Sequence, residues 1–201
     1  VTAVRYNVAV GGNALYSNTT GSYNVSSGYG ALWSNTTADD NTASGYRALY
    51  LNTIGDGNTA SGSYALEDNT TGDYNTATGA WSLYNNTTGT GNTASGVNAL
   101  STNTTGHSNT ATGRSALTFN NTGFQNTAVG TNALYLNTTG TLNIGIGFTA
   151  GDAIINGSNN TIIGDLPGTT SLADTVLIGA GATERLKVNS TGLYINGGAL
   201  A

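Results

Sequence analysis

The sequence predicts an all-β fold, a parallel β-solenoid of the β-roll type in which each coil takes 17 residues. Three observations carry this prediction: a 17-residue repeat, residue types that oppose helix, and a short alternation of inward and outward residues in every repeat. Repeats built from two helices need about 33 residues or more. Each repeat here also holds several Gly, Asn, Thr and Ser residues, which are unfavourable inside helices.

The repeat keeps one register from Asn7 to Gly164 without insertion or deletion. Counted from its first residue, Asn holds position one and Gly holds position five throughout. Leu holds position nine as far as Leu134, and a second Asn holds position twelve as far as Asn137. A short period of this regularity is typical of a solenoid, in which every repeat forms one coil.

Each coil begins with a predicted strand over the phrase Asn-Thr-Ala-Ser-Gly. Because side chains alternate along a strand, we expect Asn, Ala and Gly to point inward and Thr and Ser to point outward. The Ala-Leu pair at positions eight and nine predicts a second strand. The phrase Asn-Thr-Thr-Gly that starts at position twelve predicts a turn, since Asn and Gly tolerate positive φ.

Stacking of the coils predicts columns of identical residues along the rod. Coils about 4.8 Å apart place each residue above its counterpart, so ten coils make a rod of roughly 45–50 Å. Buried Asn amides then hydrogen-bond along a column, which offsets the cost of removing them from water. The predicted ladder and core residues are Asn41, Asn58, Asn75, Asn92, Asn52, Asn69, Asn86, Leu49, Leu66 and Leu83.

Two regions follow from the way the repeat degrades. Residues 1–142 are predicted to form the regular solenoid, and residues 143–201 a transition region of degenerate coils with an atypical β-rich C-terminal cap. From Asn143 the phrase becomes more apolar and loses its Leu. Leu186–Asn196 predicts a hairpin around the turn Asn-Ser-Thr-Gly, and terminal repeats of solenoids are generally atypical.

Composition excludes several classes of protein. Only 7% of residues are charged and there is one Pro, so the unbroken phase indicates an ordered chain rather than a disordered one. The absence of Cys excludes disulfides and thiol chemistry. No apolar run approaches the roughly 20 residues of a membrane span. The net charge of −5 argues against nucleic acid as a partner.

Aromatic residues recur on one predicted side of the rod. They occupy position ten, where Glu67, Ser101 and Thr118 interrupt them, with further aromatics at positions six and seven. An exposed aromatic stripe on an acidic rod predicts a contact between subunits or, as the alternative, a ligand surface. The residues of the predicted stripe are Tyr16, Trp33, Tyr50, Trp81, Tyr84 and Tyr135.

Catalytic and metal-binding patterns are sparse, so we expect no enzyme activity and no cofactor. His107 is the only His, and there is no Cys to share a metal with it. Paired carboxylates of a glycosidase must face one groove, whereas Glu67 and Asp68 are adjacent along the chain. The one metal hypothesis is a Ca²⁺ site formed by position-sixteen carboxylates, with solvated turn residues as the alternative: Asp39, Asp56 and Asp73.

The repeat resembles that of a known group of proteins. The phrase Asn-Thr-Ala-x-Gly-x-x-Ala-Leu-x-x-Asn-Thr-Thr-Gly, seen with variations over 41–140, is similar to repeats of bacteriophage tail-fibre proteins and, more loosely, to the β-roll heads of trimeric autotransporter adhesins. Residues 159–164, 175–179 and 184–192 resemble the stretch that often precedes an endosialidase-type chaperone in such fibres. The resemblance implies a left-handed coil, trimerisation and an extracellular or virion location, with attachment or spacing as the role.

The leading functional hypothesis is therefore a structural or adhesive module of an extracellular oligomeric fibre. Alternatives are a subunit that stacks end to end into a filament, and a solenoid that binds a cell-surface glycan or protein receptor. A further alternative is ice binding through a regular Thr column at position two, formed by Thr42, Thr59, Thr76, Thr93 and Thr110. Because the sequence has no Met, we expect a fragment or a chain from which an N-terminal part has been removed. For the C-terminal chaperone three alternatives stay open: it was cleaved off, it lies outside the fragment, or it never existed.

Overall fold

The computed structural model describes residues 5–180, 183–195 and 198–199, and it confirms the all-β solenoid of 17-residue coils. Its strands form one sheet in which the order along the chain is also the order in space. The described residues form no helix. They therefore contain no helix that is long and apolar enough to cross a membrane.

The strands are short until the C-terminal end. β1 to β10 have three residues each: Val8–Val10, Val25–Ser27, Thr42–Ser44, Thr59–Ser61, Thr76–Thr78, Thr93–Ser95, Thr110–Thr112, Thr127–Val129, Ile144–Ile146 and Thr161–Ile163. The last four strands are β11 (Val176–Ala180), β12 (Thr183–Asn189), β13 (Gly192–Ile195) and β14 (Gly198–Ala199).

The predicted alternation holds in β2 to β8, where the middle residue is buried, whereas all three residues of β1 are exposed. In β3, Thr42 and Ser44 are exposed and Ala43 is buried, and the same pattern recurs in the following coils. Neighbouring strands pair in parallel without a register shift, so that Ala43 lies opposite Ala60. Since the side-chain period is two, this register keeps the Ala residues of β3 to β8 inside and the Thr and Ser residues of these strands outside.

The second predicted strand, at the Ala-Leu pair, is wrong. Positions five to eleven form turns instead, and each coil contains a single strand. Position nine has positive φ in coil after coil, for example 52° at Leu49 and 50° at Leu83, which is incompatible with an extended strand. The turn is still tied to its neighbours, because the Leu49 N–H donates to the Ala65 carbonyl at 3.0 Å.

The core is a narrow column inside the coils. Ala at positions three and eight and Leu at position nine supply most of it, and Leu49, Leu66 and Leu83 are fully buried. Coil nine changes this arrangement, because Gly151 replaces the Leu and Ile154 replaces the position-twelve Asn. Ile154 is fully buried and takes over the filling of the core at that level.

Parallel pairing extends beyond residue 142 into the degenerate coils. β9, β10 and β11 continue the parallel sheet, and β12 then pairs antiparallel with β11. The predicted hairpin is present through Ile195, with Asn189 of β12 opposite Gly192 of β13. Asn196 of that prediction lies outside the described residues.

Candidate interaction surfaces

Asn side chains at position twelve form a continuous hydrogen-bonded column inside the rod. The Nδ2 of Asn69 donates to Oδ1 of Asn52 at 2.7 Å, and the Nδ2 of Asn86 donates to Oδ1 of Asn69 at 2.8 Å. Each Nδ2 also donates to the carbonyl three residues later, as Asn86 does to Gly89. These fully buried amides hold the turn at positions twelve to fifteen and join it to the next coil.

The position-one Asn column uses a different pattern. The backbone N–H of Asn58 donates to Oδ1 of Asn41, and the relation repeats through Asn75 and Asn92. The Nδ2 of Asn92 donates to the carbonyl of Gly106 at 2.9 Å, which closes the coil across its width. Both Asn columns are buried and satisfied by the chain itself, so they act in structure rather than in recognition.

Aromatic rings at position ten stack at the N-terminal end of the rod. Tyr16 and Trp33 lie with ring centroids 6.0 Å apart, and Trp33 and Tyr50 lie 5.2 Å apart, both with nearly parallel planes. Such offset stacks add about 0.5–1.5 kcal/mol per pair to the burial of the rings. Three members of the predicted stripe therefore stack one after another along the rod.

A second row of rings follows positions six and seven. Tyr29 stacks on Tyr46, Tyr46 meets Tyr64 edge to face, and Tyr64 stacks on Trp81 with centroids 6.0 Å apart. Tyr84 contacts Tyr64 edge to face and so joins this row to position ten. We refer to the two rows together as the aromatic strip: Tyr16, Trp33, Tyr50, Tyr29, Tyr46, Tyr64, Trp81 and Tyr84.

Tyr135, the remaining member of the predicted stripe, lies apart from the aromatic strip. Its only described aromatic partner is Phe119, at a centroid distance of 5.0 Å and edge to face. Coil six, which lies between them and the strip, has Val97 at position six, Asn98 at position seven and Ser101 at position ten. The strip therefore ends at coil five, and Tyr135 does not extend it.

An ion pair lies within the aromatic strip and was not predicted from the sequence. The Arg47 guanidinium contacts Oε1 of Glu67 at 2.6 Å, and Glu67 is only 3% exposed. The same guanidinium lies over the Tyr50 ring, 4.1 Å from its centroid, in a cation–π geometry. The only signal in the sequence was the charge of Glu67 at position ten, which is mostly aromatic, one coil after an Arg at position seven.

Burial raises the pKa of the Glu67 carboxyl above its ordinary value, against the opposing effect of Arg47. The neighbouring carboxylate of Asp68 raises the Glu67 pKa further, and the Tyr84 hydroxyl lowers it slightly. Burial also raises the pKa of Asp68. The attraction to Arg47 thus does not fully offset the free-energy cost of removing the Glu67 carboxylate from water.

We expect this raised pKa to make part of the stability pH-dependent. The folded chain binds the Glu67 proton more tightly than the unfolded chain, so the free energy of unfolding falls as pH rises from about 4.5 through the folded pKa. Glu67→Gln removes this contribution and should give a shallower slope in urea unfolding measured across that range. Glu184→Gln, in β12 at the far end, is the control and should keep the wild-type slope. An unchanged slope in Glu67→Gln would contradict the assignment.

Aspartates at position sixteen form a third column, on the surface of the rod. Oδ1 of Asp39 accepts the Ser22 N–H at 2.6 Å, and Oδ1 of Asp56 accepts the Asp39 N–H at 2.7 Å. Oδ1 of Asp73 accepts the Asp56 N–H at 2.8 Å. Each carboxylate is directed to the backbone of the preceding coil, and the described residues hold no group of three or more His, Cys, Asp or Glu side chains that would bind a metal.

A shallow groove of about 580 Å³ follows the coils beside the position-twelve column. Its lining comes from positions eleven, thirteen and fourteen, with Phe119, Leu136 and Ile155 as its apolar members and Thr and Asn side chains between them. His107 lies elsewhere, exposed and stacked on Phe124 at a centroid distance of 4.9 Å. The exposed lining of the groove is mainly apolar, and the hydroxyls of Thr102, Thr104 and Thr138 donate to backbone carbonyls. Such a lining suits a neutral ligand that has an apolar face.

Comparison with known proteins gives no match among family models, curated proteins or solved structures.

Proposed function

We propose that the chain is a non-enzymatic structural module that self-associates into an extracellular fibre, of the phage tail-fibre or adhesin type. The observation that carries this proposal is the aromatic strip, a continuous apolar surface along one side of a stiff rod. The resemblance of the repeat phrase favours a trimer and a location on a virion tail fibre or a cell-surface appendage. A cell-surface glycan or protein receptor is the partner that such a fibre would meet.

The size of the strip favours contact with another chain. Tyr16 is 70% exposed, and Tyr29, Tyr46 and Trp81 all remain about half exposed despite their stacking. Single exposed apolar residues are ordinary, but contiguous aromatic patches on soluble proteins commonly mark interaction sites. Aromatic residues and Arg are also the types enriched at the centres of interfaces, and Arg47 lies inside the strip with its charge already paired.

The core of the single chain supports the same proposal. The regular coils bury one Leu and one or two Ala as their main apolar side chains, and burial of a Leu contributes only about 1.5–3 kcal/mol. Subunits packed along the strip would bury large rings in addition. Association would thus add stability to the N-terminal coils, where the aromatic residues are concentrated.

The mass of the native assembly tests the proposal. We expect light scattering after size exclusion to give three times the chain mass of 20.2 kDa. The double variant Tyr46→Ser with Trp81→Ser should lower that mass towards the monomer, because both rings leave the strip. Tyr74→Ser is the matched control, since Tyr74 is 72% exposed at position seventeen, outside the strip. A wild-type monomer would refute self-association, and long fibres of uniform width would replace the trimer with an end-to-end filament.

The groove favours a second candidate, the binding of a neutral glycan. The Phe119 ring offers an apolar platform, and the side chains of Asn85 and Thr139, which make no hydrogen bond in the described part of the chain, offer donors and acceptors. We expect the assembled protein to bind members of a glycan array, and Phe119→Ser to lose that binding while the assembly keeps its mass. An array without hits would remove this candidate.

A further inference from the structure

The outward side of the sheet, formed by positions two and four of the coils, differs from the rest of the surface. Throughout β1 to β10 these positions hold no Asp, Glu, Lys, Arg or His. The central five strands present only hydroxyl residues there, and the strands towards both ends present mainly Val and Ile. We call the central part the hydroxyl face: Thr42, Ser44, Thr59, Ser61, Thr76, Thr78, Thr93, Ser95, Thr110 and Thr112.

The hydroxyls of this face are not used by the protein. None of the ten forms a hydrogen bond with any other group in the described part of the chain. Thr side chains at position thirteen behave differently. The Thr53 hydroxyl donates to the Thr70 carbonyl at 3.0 Å, and the Thr70 hydroxyl donates to the Thr87 carbonyl. Ten donors and acceptors on the hydroxyl face are therefore available to solvent.

The face is regular in two directions. Along the rod, parallel pairing places Thr59 beside Thr76 and Thr76 beside Thr93, about 4.8 Å apart. Across it, positions two and four are separated by two residues of strand, roughly 6.6 Å. The β-branched Thr side chain has few rotamers, and the internal Asn columns are the kind of side-chain ladder that stabilises a flat sheet.

Charge and hydrogen bonding together define what fits this surface. A charged or acidic partner finds no complementary group on it, while the chain as a whole carries a net charge of −5. Thr methyl groups restrict the orientation of first-shell water, and the free hydroxyls hydrogen-bond that water at fixed spacings. We infer that the hydroxyl face binds ice, with ordered lattice water as its ligand. The inference rests on the sheet side alone and is independent of assembly through the aromatic strip.

Thermal hysteresis and partition into growing ice test the inference on the full chain. We expect the wild type to separate the melting and freezing points of a seeded crystal and to concentrate in the ice. Thr93→Lys places a long charged side chain at the centre of the hydroxyl face and should abolish both effects. Thr88→Lys is the matched control: Thr88 is exposed at position fourteen, outside the sheet side, and should keep both effects.

The far-UV circular dichroism spectrum and melting temperature of both variants should equal those of the wild type, because both residues are exposed. A wild type without hysteresis or partition would overturn the inference, as would equal losses in the two variants. Absence of ice activity together with an altered native mass in Thr93→Lys would also overturn it. That result would assign the hydroxyl face to contact between subunits.

Discussion

Gly96→Ala is expected to destabilise the rod by roughly 2–6 kcal/mol, combining backbone strain with overpacking. Gly96 holds position five with a φ of 139°, which L-residues rarely adopt. A Cβ added there would lie 2.5 Å from the carbonyl oxygen of Gly113 in the next coil. Because that contact is with backbone, two coils must separate to relieve it. Thermal and urea unfolding of the variant measure the loss.

A matched control separates backbone strain from crowding. Gly89 at position fifteen lacks positive φ, yet a Cβ there would lie 2.4 Å from the carbonyl oxygen of Gly106 in the next coil and 2.4 Å from Oδ1 of Asn86 in its own coil. Position fifteen already carries an Ala in coil two, Ala38, which is buried there. Gly89→Ala should therefore cost about 1–3 kcal/mol less than Gly96→Ala, the usual cost of such a strained backbone. Equal losses would mean that crowding alone requires these glycines.

Asn86→Asp is expected to lower stability at pH 7 by roughly 3–5 kcal/mol, the usual cost of a buried charge without a partner. The Asn86 Nδ2 donates to Oδ1 of Asn69 and to the Gly89 carbonyl, and its Oδ1 accepts from Asn103 at 2.7 Å. A carboxylate accepts only, so two oxygens would face it without a donor. The position-twelve ladder would break at its centre.

The pH dependence of this variant follows from the same geometry. Burial raises the pKa of the introduced carboxyl in the folded state, so its penalty shrinks as pH falls and the protonated acid regains a donor. Asn85→Asp is the control, because Asn85 is half-buried and its side chain makes no hydrogen bond within the described residues. Urea unfolding at pH 7 and pH 4 should show a large, pH-sensitive loss for Asn86→Asp alone. Similar losses at both positions would refute the ladder as the cause.

Unfolding of either variant is expected to be local at first. In a solenoid each coil contacts only its neighbours, so a defect weakens the coils next to it most. Hydrogen exchange should accordingly increase most in the coils flanking the substitution and least in the coils at the far end of the rod. Uniform loss of protection would show that the rod unfolds as a single unit.

Periodicity was sufficient to predict the coil, the strand and the inward columns. The invariant spacing of Asn41, Asn58 and Asn75 is meaningful only if residues 17 apart are neighbours in space, and alternation over Asn-Thr-Ala-Ser-Gly then assigns each side chain to a side. The error at Leu49 has a physical cause. An apolar pair such as Ala-Leu is compatible with a strand or with a tight turn. Positive φ at the Leu decides for the turn, and Leu is not a residue type that signals positive φ.

The repeat pattern could not predict contacts between coils that differ in composition. Arg47 and Glu67 are 20 residues apart and hold different positions in the repeat, so no column joins them; only the path of the turn brings the guanidinium to the carboxylate. Asp39 and Asp56 do share a column, but the repeat did not predict that the Asp56 carboxylate accepts the Asp39 N–H of the preceding coil. The Ca²⁺ site at these aspartates stays a prediction.

The sequence by itself determined the number of coils, their register and which residues face inward, because a period of 17 leaves one way to stack identical Asn, Ala and Leu columns. The tertiary structure alone decided the path between the strands, and with it the surfaces. Where Tyr64 meets Trp81 and how Tyr84 joins the two rows of rings depend on turn dihedrals. Those angles arise from packing against the coils above and below, not from the residues of one repeat.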